Sequence, residues 1–194
     1  MVAKADVVFA VDRSLPLAAL SRASNLISSS VAQYTLSADS IRVGLAQFDS
    51  NANILLPLNK IDEQALVSSL TRLTASSNTR NIPRALNQIR TAMLSSQERP
   101  GVKRSIVLFV QGPSDAVDSA ALKAEADELK RANIDMLIVY VGDSPTVKLQ
   151  PLATTQYNIQ RIASYLQMPF ALQPILMLRG DKPGTSVASL WFSS

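Results

Sequence analysis

The side chains able to do chemistry are few in kind, and their absences exclude more than their presences suggest. The 194 residues include no His and no Cys. The commonest general base, the usual catalytic triads, thiol nucleophiles and the ordinary zinc sites are therefore excluded together. Carboxylates, guanidinium groups, amides and hydroxyls remain. The most suggestive carboxylate is Asp12, which ends the apolar run Asp6 to Asp12 and is followed by Arg13, Ser14, Leu15 and Pro16. With a partner such as Asp115 it could do acid–base work. Carboxylates at strand ends more often cap turns or helices, so the expectation is a non-enzymatic chain with no catalytic residues. Neither G-x-G-x-x-G nor G-x-x-x-x-G-K-S/T occurs, which leaves nucleotide chemistry without a phosphate loop.

Cationic groups are the other resource. Lys and Arg exceed Asp and Glu by 19 to 15, for a net charge of +4 and a pI near 9.6, so acidic partners deserve consideration. Arg99, Lys103 and Arg104 cluster ahead of one strand, while Arg13, Arg80 and Arg84 form a second candidate group. Most such charges are ordinary solvated surface. Nucleic acid is not expected as a partner, because no interleaved aromatics or reading motif accompany the basic residues.

Positioning these groups calls for alternating strands and helices. The nearly continuous apolar character of Asp6 to Asp12 is that of a strand covered on both faces. Leu20, Ala23, Ile27, Val31 and Tyr34 follow at helical spacing. Ile41 to Phe48 and Ile54 to Leu58 read as strands of a hairpin, separated by Asp49, Ser50 and Asn51. A helix from Ile82 carries Leu86, Ile89 and Met93 on one face and stops before the breakers Arg99, Pro100 and Gly101. Ser105 to Val110 is a strand leading to Gln111 and Gly112. Asp118 or Ser119 can cap a helix bearing Leu122, Ala126, Leu129 and Ala132, and Ile134 to Val141 is a strand ending at Gly142. The fold class expected is α/β: a Rossmann-like open, mostly parallel sheet with one antiparallel edge strand and helices on both faces.

This order of elements, with the loop after the first strand, resembles a von Willebrand factor type A domain over roughly residues 5 to 178. It is most similar to the N-terminal A domains of collagen VI. The resemblance implies a short helix over Val147 to Ala153 and a last strand over Tyr157 to Ile162. It also implies a metal-ion-dependent adhesion site, built from an Asp-x-Ser-x-Ser loop, a Thr from a second loop and an Asp from a third. Asp12 and Ser14 match the first loop, but Pro16 stands at the third position and has no side-chain oxygen. Counting back from Ala85 and Leu86 puts Arg80 at the family's Thr. A shift of one residue recovers Thr79, and both registers stay open. Gln111 replaces the Asp of the third loop. A hard cation needs several close oxygens, so the resemblance with these departures implies no bound metal and no cofactor. Arg13 or Arg80 could instead capture a ligand carboxylate, or Arg80 could pair internally with Asp12, the reading preferred here.

One domain is expected over residues 1–178, with 179–194 a C-terminal tail or interdomain linker. The run Leu166 to Leu178 is interrupted by Pro169 and Pro174, which points to a kinked or two-piece helix packing through Leu166, Phe170, Ile175 and Leu178. No apolar run is long enough to cross a membrane, and no membrane insertion is expected. In the tail, Arg179, Gly180 and Asp181 spell a tripeptide that many integrins recognise, next to Lys182 and Pro183, where a turn could display it. The resemblance implies an extracellular, secreted matrix module that assembles with matrix proteins or neighbouring A domains, with sulfated glycosaminoglycan or integrin as further partners. The alternatives are an integrin-recognised adhesion segment and an intracellular type A scaffold.

Overall fold

The computed structural model describes residues 4–32, 34–60, 62–111, 119–141, 146–153 and 159–162. The run that ends on Asp12 is strand β1, Ala5–Asp12, buried from Asp6 onward. Its side chains alternate between two apolar clusters. Val7, Phe9 and Val11 enter one, Val8 and Ala10 the other, which is the period-two pattern of a strand covered on both faces.

Strands β2, Ile41–Phe48, β3, Ala52–Leu56, β4, Lys103–Gln111, β5, Ile134–Val141, and β6, Ile159–Ile162, join β1 in a six-stranded sheet of order β3-β2-β1-β4-β5-β6. Every pairing is parallel except β2 with β3. Helices α1, Leu17–Val31, and α2, Glu63–Leu70, cover one face through Leu20, Ile27, Leu66 and Leu70. Helices α3, Ile82–Ile89, and α4, Ser119–Arg131, cover the other through Leu86, Ile89, Leu122 and Leu129. The chain thus has the expected mostly parallel α/β architecture with an antiparallel edge strand.

Several local readings are corrected. Helix α2 was not anticipated. It is two turns long, capped by Asp62, whose Oδ1 accepts the Gln64 N–H at 2.9 Å, and two buried leucines four residues apart are too few to stand out as a period. Strand β3 begins at Ala52 rather than Ile54, because the turn after Asp49 is tight: Asp49 N–H donates to Asn51 O. The helix expected to run through Met93 keeps α form only to Ile89 and widens into a π turn over Arg90–Ser95, which buries Met93 and Leu94 side by side. Tyr34 lies beyond the end of α1, half-buried against the cluster that α1 and α2 cover. The short helix near Val147 is a 3-10 segment, Thr146–Leu152. The expected helix over Leu166 to Leu178, the tail 179–194, Asp118 and Gly142 lie outside the described residues.

The sheet order reverses between its two central strands, since β2 lies beside β1 on one side and β5 beside β4 on the other. In open α/β sheets the crevice at the carboxyl ends of such a strand pair is the usual ligand position. Asp12 and Gln111 end these two strands.

Candidate functional site at the carboxyl end of the sheet

Asp12 is fully buried, which an isolated carboxylate tolerates only if its oxygens find donors. One donor is local: the Ser14 N–H gives Asp12 Oδ1 a 2.8 Å hydrogen bond, holding the β1–α1 loop in a tight turn. The other comes from a distant loop. Arg80 Nη1 lies 2.8 Å from Asp12 Oδ2 and also donates to the backbone carbonyl of Gln111. One guanidinium therefore ties the ends of β1 and β4 to the segment entering α3. Of the two residues left open by the sequence, Arg80 meets Asp12, while Thr79 is exposed.

The rest of the loop set is placed as follows. Ser14 is half-buried. Pro16 is exposed and starts α1, its carbonyl accepting the Ala19 and Leu20 N–H groups. Gln111 is half-buried, and its Oε1 is enclosed with no hydrogen-bond partner among the described residues. Asp115 lies outside the described residues. As a donor set for a hard divalent cation this cluster does not fit. Among the described residues its one carboxylate is already bonded on both oxygens, Pro16 offers no side-chain oxygen, and a permanent cation sits 2.8 Å from the anion.

A second ion pair, not foreseen from the sequence, lies beside the first. Arg13 Nη1 is 3.2 Å from Asp49 Oδ2, and Arg13 Nη2 reaches Thr74 Oγ1 at 3.2 Å. Asn78 Nδ2 donates to the same Asp49 oxygen at 3.1 Å, and Gln47 Nε2 holds the Thr74 carbonyl at 2.6 Å. Burial pushes the Asp49 carboxyl up, but hydrogen bonds from Asn78, Asn51 and Ser50 and the charge of Arg13 outweigh it, so its pKa lies below the ordinary value. The available signal was positional: Asp49 follows β2 as Asp12 ends β1. Segment 74–81 is thus stitched across the ends of β1, β2 and β4.

The other basic candidates are dispersed. Arg84 is exposed on the first turn of α3, where its N–H donates to the Asn81 cap. Arg99, Lys103 and Arg104 do not form one surface patch. Arg99 turns inward, donating to Asp6 Oδ1 at 2.5 Å and to the carbonyls of Ala5, Ala38 and Ser40. Arg104 is buried, donating to the Ala132 carbonyl and lying 3.2 Å from Glu98. Lys103 is the exposed member. Asp6, itself buried, is shared between Arg99 and Arg42, whose Nε and Nη2 bind it at 2.7 and 2.6 Å. Arg179, Gly180 and Asp181 lie outside the described residues.

Comparison with known proteins places this geometry in context. The family described as von Willebrand factor type A domain matches residues 6–170. The collagen alpha-4(VI) chain of Mus musculus is 28% identical over 161 residues, which is 79% of this chain but 7% of that protein's length. Among solved structures, proximal thread matrix protein 1 from the mussel byssus, with a zinc-occupied MIDAS motif, superposes with a TM-score of 0.79. It is 17% identical, over 91% of this chain and 48% of its own. The manganese-loaded TRAP protein of Plasmodium vivax gives a TM-score of 0.68 at 16% identity, covering 89% of this chain and 73% of that one. At such identities the two structures speak for the fold alone.

Proposed function

Because the chain belongs to the von Willebrand factor type A family, we propose that it is a non-enzymatic extracellular matrix module whose assembly contacts do not run through a bound metal. The observation that carries this reading is the Arg80–Asp12 ion pair. In the family's adhesion site a cation bridges loops and presents a positive charge to a ligand carboxylate. Here a tethered guanidinium bridges the Asp12 and Gln111 ends of the sheet, and its charge is spent on Asp12. The partners proposed are matrix proteins or neighbouring A domains. The relationship to a collagen VI chain supports a matrix setting and secretion. Arg84 and Lys103, both exposed, are the basic candidates best placed to meet a sulfated glycosaminoglycan.

Thermal unfolding of the purified domain with and without millimolar Mg²⁺ or Mn²⁺ tests the proposal, beside a type A domain with an intact adhesion site. A ligand that binds only the native state must raise its stability. The expected result is an unchanged midpoint here and a rise in the control. A saturable rise in this chain would return metal-bridged adhesion to first place.

A further inference from the structure

The outer edge of β3 ends the sheet, and an edge strand offers unpaired backbone groups on which a second chain can add a strand. The hydrogen bond from Asp49 N–H to Asn51 O, 3.2 Å, sets the phase of the β2–β3 ladder. With Gln47 opposite Asn53 and Phe48 opposite Ala52, the backbone groups of Ala52 and Ile54 turn outward, away from β2. At this edge, however, side chains have taken the positions that a docking strand would need. Gln88 Oε1, from α3, accepts the Ala52 N–H at 2.7 Å. Beyond Ile54 the register shifts, and the Leu55 carbonyl accepts from Arg72 Nη2 at 2.6 Å and from Ser69 Oγ at 3.1 Å. Arg72 and Ser69 are bonded to each other at 2.7 Å, so this cap is braced.

The caps come from opposite faces of the sheet, Gln88 from α3, and Ser69 and Arg72 from α2 and the turn after it. Among the described residues they leave Ile54 as the one outward-facing residue between them with neither backbone group capped. A docking strand needs several consecutive ladder bonds, and one residue cannot supply them. We propose that Gln88 and Arg72, the latter braced by Ser69, are the edge guards that close β3 to strand addition by a second copy of this chain. Assembly is thereby left to side-chain surfaces rather than to continuation of the sheet. This inference stands independently of the reading of the metal site.

Light scattering across a wide concentration range tests it, with wild type, the double variant Gln88→Ala/Arg72→Ala, and that variant with Ile54→Pro added. Wild type is expected to remain monomeric, and the double variant to gain mass toward a dimer as concentration rises. Ile54→Pro, which has no N–H to donate, should return it to monomer. A folded double variant that stays monomeric, association indifferent to Ile54→Pro, or a wild-type dimer that Ile54→Pro dissolves would each overturn the proposal. Should the double variant fail to fold, amide hydrogen exchange on Gln88→Ala alone decides. Faster exchange at Ala52 with unchanged rates in β1 and β4 is expected, and unchanged exchange at Ala52 would refute the cap.

Discussion

At the scale of the residue, the central feature is the guanidinium of Arg80, bonded to the buried Asp12 and to the Gln111 carbonyl, which in the function proposed above does the bridging of the family's cation. Arg is always charged and tethered, so the bridge between β1, β4 and the α3 entry needs no dissolved ion. Such a pair is costly to break from one side, since removing Arg80 leaves Asp12 as a buried anion without its cation. Arg80→Ala is therefore expected to lower unfolding free energy by about 3–5 kcal/mol in urea titrations. Arg80→Lys should lose less, retaining charge but not the planar fork. A loss within error of zero for Arg80→Ala would mean that the pair carries no structural load. Asp49 adds a pH dependence whose sign is fixed by its lowered pKa. The folded state holds this carboxylate ionised where the unfolded chain would bind a proton, so its contribution is present above the ordinary carboxylate range. It is lost as pH falls through the folded value. The difference in melting temperature between wild type and Asp49→Asn should accordingly shrink on acidification, and a constant difference would contradict the assignment. Asp12 and Arg80 were both legible in the sequence as candidates, but the Arg13–Asp49 pair was not. Nothing in a linear reading distinguishes one solvated Arg from another that meets an Asp 36 positions away.

At the scale of the element, long apolar runs and sustained helical periods were readable, whereas short elements decided by their neighbours were not. Strand β5 spans the expected Ile134–Val141, because a strand inside a parallel sheet covered on both faces is almost wholly apolar and its limits are marked by composition. Helix α2 depends instead on one cap and two leucines, a signal too short to separate from loop. Helix α4 ends at Arg131, and the chain then turns through Asn133, whose φ of 52° lies in the left-handed region. Asn tolerates this conformation and a β-branched residue does not. Asn133→Val should cost about 1–2 kcal/mol in thermal unfolding, while Asn133→Gly should be neutral or mildly stabilising. Equal effects of the two would locate the penalty in lost side-chain contacts instead. On the same face, buried Glu125 binds Arg90 Nε at 2.7 Å and fastens the π turn to α4. That hydrogen bond raises the pKa of Arg90 above its already high value.

At the scale of the whole molecule, the two ends of the sheet are closed by internal ion pairs, Arg80–Asp12 and Arg13–Asp49 at one and Arg42–Asp6–Arg99 at the other. Arg13, Arg42, Arg80 and Arg99 are thus committed to internal pairs, although one-to-one pairing leaves the net charge of +4 nearly intact, and the search for partners turns to the exposed side chains and to the Arg179 to Asp181 segment. If that tripeptide is an integrin ligand, Asp181→Glu should reduce cell attachment to immobilised protein without altering the melting temperature, and equal attachment by both proteins would eliminate the role. The sequence by itself determined that imidazole and thiol groups are lacking, the alternation of strands and helices, and that Pro16 and Gln111 offer no carboxylate or hydroxyl where the resemblance would look for one. Each of these is written in residue type or in neighbours a few positions apart. Only the tertiary structure decided which Arg meets which Asp, that Arg80 rather than Thr79 faces Asp12, and that Arg99 and Arg104 turn inward. Partners 36, 68 or 93 positions apart are brought within bonding distance by sheet order and loop path. A local pattern carries no record of that distance.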